Sequence, residues 1–283
     1  MLKQRVITAV VLLAVLLPAL FWPTPFPFNA VVLLLIAAAG WEWGRLNHLL
    51  MNQSVAVGAA CLVLCGESWY AGLMEERIGL LWAIAGGLWV LCGALLLRMG
   101  VEGWPRIPKV VRILFGVLAL WVAWLAVAQA RFMGINFLLS VLVLVWVADI
   151  AAYAAGRAFG QKFIKHKLAP SISPGKSWEG AWGGMAGVLV LGIAWVIADR
   201  ALGATVPSIY SRVVAVGWWL LPITALFLSA MSVVGDLVES LVKRSAGVKD
   251  SSSLLPGHGG VLDRVDALLP TLPLAMFIAT MVS

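Results

Sequence analysis

Charge is scarce in this sequence. Only 12% of its 283 residues are Asp, Glu, Lys or Arg, 62% are hydrophobic, and the mean hydropathy is +0.99. A water-soluble domain carries roughly 25% charged residues. A chain this long with so little charge would present a large apolar surface to water, which excludes a soluble globular protein and leaves a lipid bilayer as the solvent. No stretch is polar enough for an additional soluble domain, since the longest polar segments are only 157–179 and 236–266. Ten-residue alternating segments are missing too, which excludes a membrane β-barrel. There are three cysteines, Cys61, Cys65 and Cys92, all inside apolar runs. Cys61 and Cys65 share a helical face and read as small packing residues, not as a metal or redox pair. No internal repeat is visible, which weighs against the duplicated halves of many transporters. Lys3 and Arg5 precede the first apolar run, but no small-x-small cleavage pattern follows it. The chain continues into Phe21-Trp22-Pro23-Thr24-Pro25, so this run reads as a helix and not as a removed signal.

What the sequence does contain is a series of membrane-length apolar runs. About 20 apolar residues in a helix cross the hydrocarbon layer. Nine runs predict an all-α, polytopic membrane protein with spans at 6–22, 29–44, 54–74, 78–97, 113–130, 133–156, 180–198, 213–235 and 267–282. The first two are short. The whole chain, 1–283, reads as one membrane domain, with N-terminal helices in 1–130 and a catalytic part in 131–283. With the N-terminus cytoplasmic, nine spans place every Lys and Arg on the cytoplasmic side except Arg77, Arg131, Arg200 and Arg212. This bias follows the positive-inside rule and puts the C-terminus on the non-cytoplasmic side. The net charge of +7 thus sits mostly at one membrane face, where it favours anionic headgroups. In the 98–112 loop the basic residues need no role beyond topology, and Trp104 reads as an interfacial anchor.

The chemistry must lie in the two polar segments, at the cytoplasmic face. The first, 149–180, opens with Asp149, Tyr153 and Gly156 at i, i+4 and i+7, on one face at the end of span six. A carboxylate in a membrane helix is costly and usually faces a wet cavity or the bundle interior. The run Ser171-Ile-Ser-Pro-Gly-Lys-Ser177 joins hydroxyls, a Pro-Gly turn and Lys176, a combination able to contact phosphate. It lacks the spacing of a Walker loop, which excludes a P-loop ATPase.

The second segment, 235–266, is more specific. Asp236, Glu239, Ser240 and Lys243 form a polar stripe where span eight leaves the membrane. Arg244, Lys249 and Asp250 follow. Then comes Pro256-Gly-His258-Gly-Gly, and Asp263, Arg264 and Asp266 open span nine. Its five acids and four bases are interleaved next to lipid. Clustered carboxylates suit Mg²⁺, a hard cation that commonly bridges to substrate phosphates. Neighbouring lysines and arginines suit the phosphates themselves. Together these groups point to phosphoryl or nucleotidyl transfer.

The run S-L-V-K-R-S-A-G-V-K-D-S-S-S-L-L-P-G-H-G-G-V-L-D-R-V-D, from Ser240 to Asp266, resembles the signature of the phosphatidate cytidylyltransferase (CDP-diacylglycerol synthase) family. The segments 149–160 and 173–180 are similar to that family's other polar motifs. Gly175 stands where a lysine is frequent and Ser177 where a threonine is frequent. The resemblance implies transfer of CMP from CTP to phosphatidic acid, with CDP-diacylglycerol and pyrophosphate as products. It implies Mg²⁺, with a second, monovalent cation compatible with the family, and a homodimer in the bacterial inner membrane. Nothing points to a nucleic-acid partner.

The expected metal ligands are Asp236, Asp263 and Asp266, with Asp149 able to complete the site. The expected catalytic set is Lys243, Arg244, Lys249, Asp250, His258 and Arg264. Asp149, Tyr153, Ser173, Lys176, Ser177 and Ser240 are the expected substrate and phosphate contacts. Phosphatidate is a phosphate monoester with a second pKa of about 6, so it is already largely a dianion at neutral pH. No strong general base is needed, and His258 is as readily a phosphate or structural hydrogen-bonding residue. A CDP-alcohol transferase would carry D-G-x-x-A-R…G…D…D, which is missing here. Another nucleotidyltransferase with a lipid-phosphate acceptor stays open. A carrier would place its carboxylates nearer mid-membrane, on broken helices.

Overall fold

The computed structural model describes residues 2–282, and helices dominate it. They are α1 (Leu2–Phe21), α2 (Phe26–Leu46), α3 (Met51–Tyr70), α4 (Gly79–Gly103), α5 (Lys109–Met133), α6 (Ile135–Phe159), α7 (Trp178–Ala201), α8 (Ile209–Val216), α9 (Leu220–Ser245), α10 (Leu262–Val265) and α11 (Leu268–Met281). Every predicted span falls on a helix, the eighth straddling α8 and α9. Among the described residues, eight stretches of helix are long and apolar enough to cross a membrane by length and composition. The expected ninth, α3, has the length but not the apolarity, because Asn52, Gln53, Ser54, Glu67 and Ser68 lie within its 20 residues. The eighth predicted span was placed too early. Residues 213–216 belong to the separate short helix α8, which stops at the extended Gly217, while α9 runs ten residues past the predicted end at 235.

Small residues set how closely the helices approach. α6 and α7 meet through Ala148, Ala151, Ala152 and Ala155 on one side and Gly180, Gly183, Gly184 and Gly187 on the other. A Cβ on Gly183 would stand 2.1 Å from the Ala155 Cβ. In lipid, where helices gain little by hiding apolar surface from one another, such close backbone approach supplies much of the packing attraction. Gly134 joins α5 to α6 with no loop. Its φ of 133° is one that glycine adopts readily, and a Cβ there would be 2.7 Å from Val206 Cγ1.

The long loop between α6 and α7 holds the only strands among the described residues. They are β1 (Lys167–Ala169) and β2 (Ser173–Ser177), antiparallel, with Lys167 opposite Ser177. Sequence pattern hides them because β2 contains Pro174 and Gly175, both poor strand residues. Ser177 ends β2 and starts α7. Its Oγ accepts from Gly180 N at 3.1 Å, the usual N-terminal cap of a helix. Trp104 is buried, not interfacial: its ring meets Trp43 edge-on at 5.7 Å, and the Arg112 guanidinium lies over it.

Polar contacts sort to the two ends of the bundle. At one end lie Arg5, Glu42, the hairpin and the 246–261 loop. At the other, Asp199 gathers Asn136 Nδ2 at 2.8 Å, Ser208 N at 3.0 Å and the hydroxyls of Ser208 and Ser211 at 2.6 Å each.

The close α6–α7 contact yields a stability prediction. Gly183→Leu is expected to lower the thermal unfolding midpoint in detergent, since overpacking of this kind costs about 1–3 kcal/mol. Gly87→Ala, whose Cβ would meet nothing within 4 Å, should leave the midpoint within error. Equal midpoints for the two variants would refute the role given to this contact.

Candidate active site

Three elements frame a cavity of about 360 Å³: the end of α6, the β2 strand with the start of α7, and α9. Its lining includes Asp149, Tyr153, Gly156, Arg157, Gly175, Lys176, Ser177 and Val233. Asp149 and Tyr153 thus share a helical face as their spacing predicts. The Tyr153 hydroxyl accepts a long contact of 3.5 Å from Arg157 Nη1. Lys176, carried by β2, points across to α9 and forms an ion pair with Asp236 Oδ2, while Ser240 Oγ donates to Asp236 Oδ1 at 3.2 Å. Ser173 lies at the start of β2, opposite Ala169, and is not part of the lining. The hairpin is tied down at its base by Glu179 and at its turn by Arg244. Glu179 Oε1 accepts from Phe163 N at 3.0 Å and Ile164 N at 2.8 Å, and Arg244 Nε donates to Ile172 O at 3.4 Å.

One turn further along α9, Lys243 sits between two acids. Its ammonium pairs with Glu239 and donates to Asp263 Oδ1 at 2.6 Å. All three side chains are enclosed, at 12%, 3% and 6% exposure for Lys243, Glu239 and Asp263. Asp263 Oδ2 accepts from Ser251 N at 2.9 Å, Ser251 Oγ at 2.8 Å and Gly260 N at 2.7 Å. Asp263 therefore shapes the 246–261 loop as well as facing α9. Asp266 Oδ1 accepts from Ala267 N at 2.7 Å, and Asp266 lies within electrostatic range of Asp236, Asp149 and Lys243.

The remaining predicted residues divide by location. Lys249 and Asp250 are exposed on the loop. Arg264 Nε and Nη2 donate to His258 O at 3.0 and 2.5 Å, so this guanidinium braces the glycine-rich turn. The Arg244 contact to Ile172 likewise goes to backbone. His258 is half-buried, and its Nδ1 has no hydrogen-bond partner. The tip of the loop is also held by the first helix. Arg5 Nε donates to Gly257 O and Thr8 Oγ1 to Pro256 O, both at 2.9 Å. The site includes a residue that the sequence pattern did not single out, Glu42 of α2. It is fully buried and accepts from Ser251, Ser252, Val261 and Leu262. The available signal was a lone acid inside an apolar run, Trp41-Glu42-Trp43.

Among the described residues, no three Asp, Glu, His or Cys side chains converge as they stand into a group able to hold a metal ion. The donor chemistry nevertheless fits a hard divalent cation. Asp149, Asp236 and Asp266 are carboxylates within electrostatic range, and an ammonium, that of Lys176, already lies on one of them.

A polytopic helical membrane protein with carboxylates and ammonium groups interleaved at one end of its bundle belongs to the class of membrane enzymes that handle phosphates. Comparison with known proteins places it more narrowly. The model of the Cytidylyltransferase family matches residues 3–282. The chain is 38% identical to a phosphatidate cytidylyltransferase of Haemophilus influenzae, over 96% of both chains. It is 37% identical to one of Pseudomonas aeruginosa, over 96% of this chain and 95% of the relative. It is also 36% identical to one of Brucella suis, over 95% and 89%. The chain belongs to the cytidylyltransferase family.

The buried triad gives a second prediction. Lys243→Met leaves Glu239 and Asp263 enclosed without their shared cation, and breaking a buried ion pair from one side costs about 3–5 kcal/mol. Thermal unfolding in detergent should show a large drop for Lys243→Met and none for Lys249→Met on the exposed loop. A Lys243→Met protein as stable as the parent would contradict the bridging role.

Proposed function

We propose that this protein is a phosphatidate cytidylyltransferase of the bacterial inner membrane, transferring CMP from CTP to phosphatidic acid. The observation that carries this reading is the meeting of the two polar segments at the Lys176–Asp236 ion pair, beside a cavity that Asp149, Arg157 and Lys176 line at one end of an apolar bundle. A lipid phosphate and a soluble triphosphate meet at such a place. The phosphatidate oxygen attacks the α-phosphorus of CTP. A P–O bond forms there as the bond to the β-phosphate bridging oxygen breaks, and pyrophosphate leaves.

The barrier is electrostatic, because two highly charged anions must approach. Lys176 and Arg157 line the cavity and neutralise phosphate oxygens, with Ser177 and Ser240 nearby as hydroxyl contacts and Tyr153 at the lip. Asp236 and Asp266 would hold Mg²⁺ together with Asp149, while Asp263, expected as a ligand, has both oxygens engaged by Lys243, Ser251 and Gly260. When bound, the ion supplies Lewis-acid charge for the triphosphate. The phosphatidate dianion needs no proton removed, so His258 acts through hydrogen bonding. Lys249 on the exposed loop supplies positive charge at the mouth. Cytidine selectivity rests on the family relationship. The basic residues gathered at the site end support a cytoplasmic position for it by the positive-inside rule. Nine crossings, with the more polar α3 as the ninth, then leave the C-terminus outside. Homodimer formation and a second, monovalent cation also rest on the family.

Incubating the purified protein with labelled CTP, phosphatidate and Mg²⁺ tests the reading. CDP-diacylglycerol and pyrophosphate should form, and equal turnover with ATP would remove the CTP assignment. Asp236→Asn and Asp266→Asn should each lower the rate about 10²–10³-fold, the scale of losing one transition-state contact. His258→Gln should cost less. An inactive His258→Gln beside near-normal Asp variants would replace the metal-centred account with proton transfer.

Orientation is tested separately, on an otherwise cysteine-free protein in sealed vesicles. Ser253→Cys, on the exposed loop, should label from the cytoplasmic side. Labelling only from the outside would reverse the topology and remove CTP access.

A further inference from the structure

Glu42 is a buried anion whose counterparts are all hydrogen-bond donors. Its side chain is fully enclosed, and among the described residues no Lys, Arg or His lies within ion-pair distance of it. Its partners come from one loop and the turn that follows. Ser252 Oγ and Val261 N donate to Oε1 at 2.5 and 2.9 Å. Leu262 N and Ser251 Oγ donate to Oε2 at 2.7 and 3.3 Å. Two backbone N–H groups and the Ser252 hydroxyl facing one side chain, with the single Ser251 proton shared between Glu42 and the nearer Asp263, select a carboxylate, which only accepts. An amide would turn its own N–H groups toward some of them. A charge buried this way is costly, and an apolar residue would serve simple packing between two tryptophans. The charge therefore points to a task in the loop.

The loop it grips is the one that delivers the site. Leu262, bonded through its N–H to Glu42, directly precedes Asp263. Ser251 is shared, its hydroxyl reaching both Glu42 and Asp263. Gly260 is squeezed between them: a Cβ there would be 2.0 Å from Ser251 Oγ and 2.4 Å from Glu42 Oε1. Both ends of the 251–262 segment are thus pinned to one point on α2, about 210 positions away in the chain.

We infer that Glu42 is a positioning residue for cytidylyl transfer. It fixes the 251–262 loop so that Asp263 and Asp266 stand in register with α9, and it does not itself touch substrate. This inference rests on the cytidylyltransferase reading of the site.

Glu42→Gln in the full-length protein tests it. Turnover should fall about 10–100-fold, the scale of a misplacement of about 1 Å, while the KM for phosphatidate stays within about twofold. Amide hydrogen exchange of the 251–262 segment, read by mass spectrometry, should accelerate while that of α6 and α7 does not. Glu42→Asp should recover part of both losses. Ser252→Ala should act in the same direction but more weakly, and its effect should shrink in the Glu42→Gln background, because the two residues share one interaction. Wild-type turnover and unchanged loop exchange in a folded Glu42→Gln protein would overturn the inference. Should Glu42→Gln not fold, the double variant Ser251→Ala/Ser252→Ala decides from the loop side, with parental kcat and parental exchange counting against the inference. Loop exchange needs no activity, so an inactive parent enzyme would sink the functional reading and leave the anchoring to be judged alone.

Discussion

A charged group inside an apolar bundle has no water to turn to, and it must find its counterpart within the protein. That requirement organises this molecule. Asp236 finds Lys176 and Ser240, Lys243 binds Glu239 and Asp263 together, and Glu42 satisfies itself on backbone and hydroxyl donors. These pairings cross between elements far apart in sequence, so the groups that need one another electrostatically also dictate which helices stand side by side. The chemistry of phosphate transfer asks for the same ingredients, clustered acids and bases with little water among them. The arrangement that satisfies these charges contains those same ingredients.

Close helix packing makes the pairing reachable. Lys176 reaches α9 because β2 runs directly into α7 and α7 lies almost against α6. A wider spacing, with leucines in place of the alanines and glycines, would move the hairpin away from Asp236. The small residues of α6 and α7 and the Lys176 ammonium in the cavity therefore belong to one design, although the ammonium alone has an obvious chemical use.

Most of the helical architecture was legible in the sequence, because membrane helices announce themselves by apolar length alone. The pattern faltered where that signal is diluted. Polar residues lower the apolarity of α3, Gly217 separates α8 from α9, and Pro174 and Gly175 mask a strand. The motifs in 149–180 and 235–266 were visible as charge in unexpected places. Their internal division of labour was not. Arg244 and Arg264 are expected in the catalytic set; the structure adds that both donate to backbone carbonyls, a role that depends on where a loop folds back and leaves no trace in spacing. Glu42 was overlooked because its partners lie some 210 positions further along the chain, beyond any local pattern.

The grip of α1 and α2 on the 251–262 loop also has a consequence for biosynthesis. Arg5 waits for Gly257 and Glu42 waits for Leu262, so helices inserted first stay incomplete until the last loop has been translated. Until then Glu42 lacks the donors that meet it in the folded protein. The contacts that satisfy Glu42 come from the same late stretch of chain that carries Asp263, so the anchoring of the N-terminal helices and the placing of that acid depend on one segment.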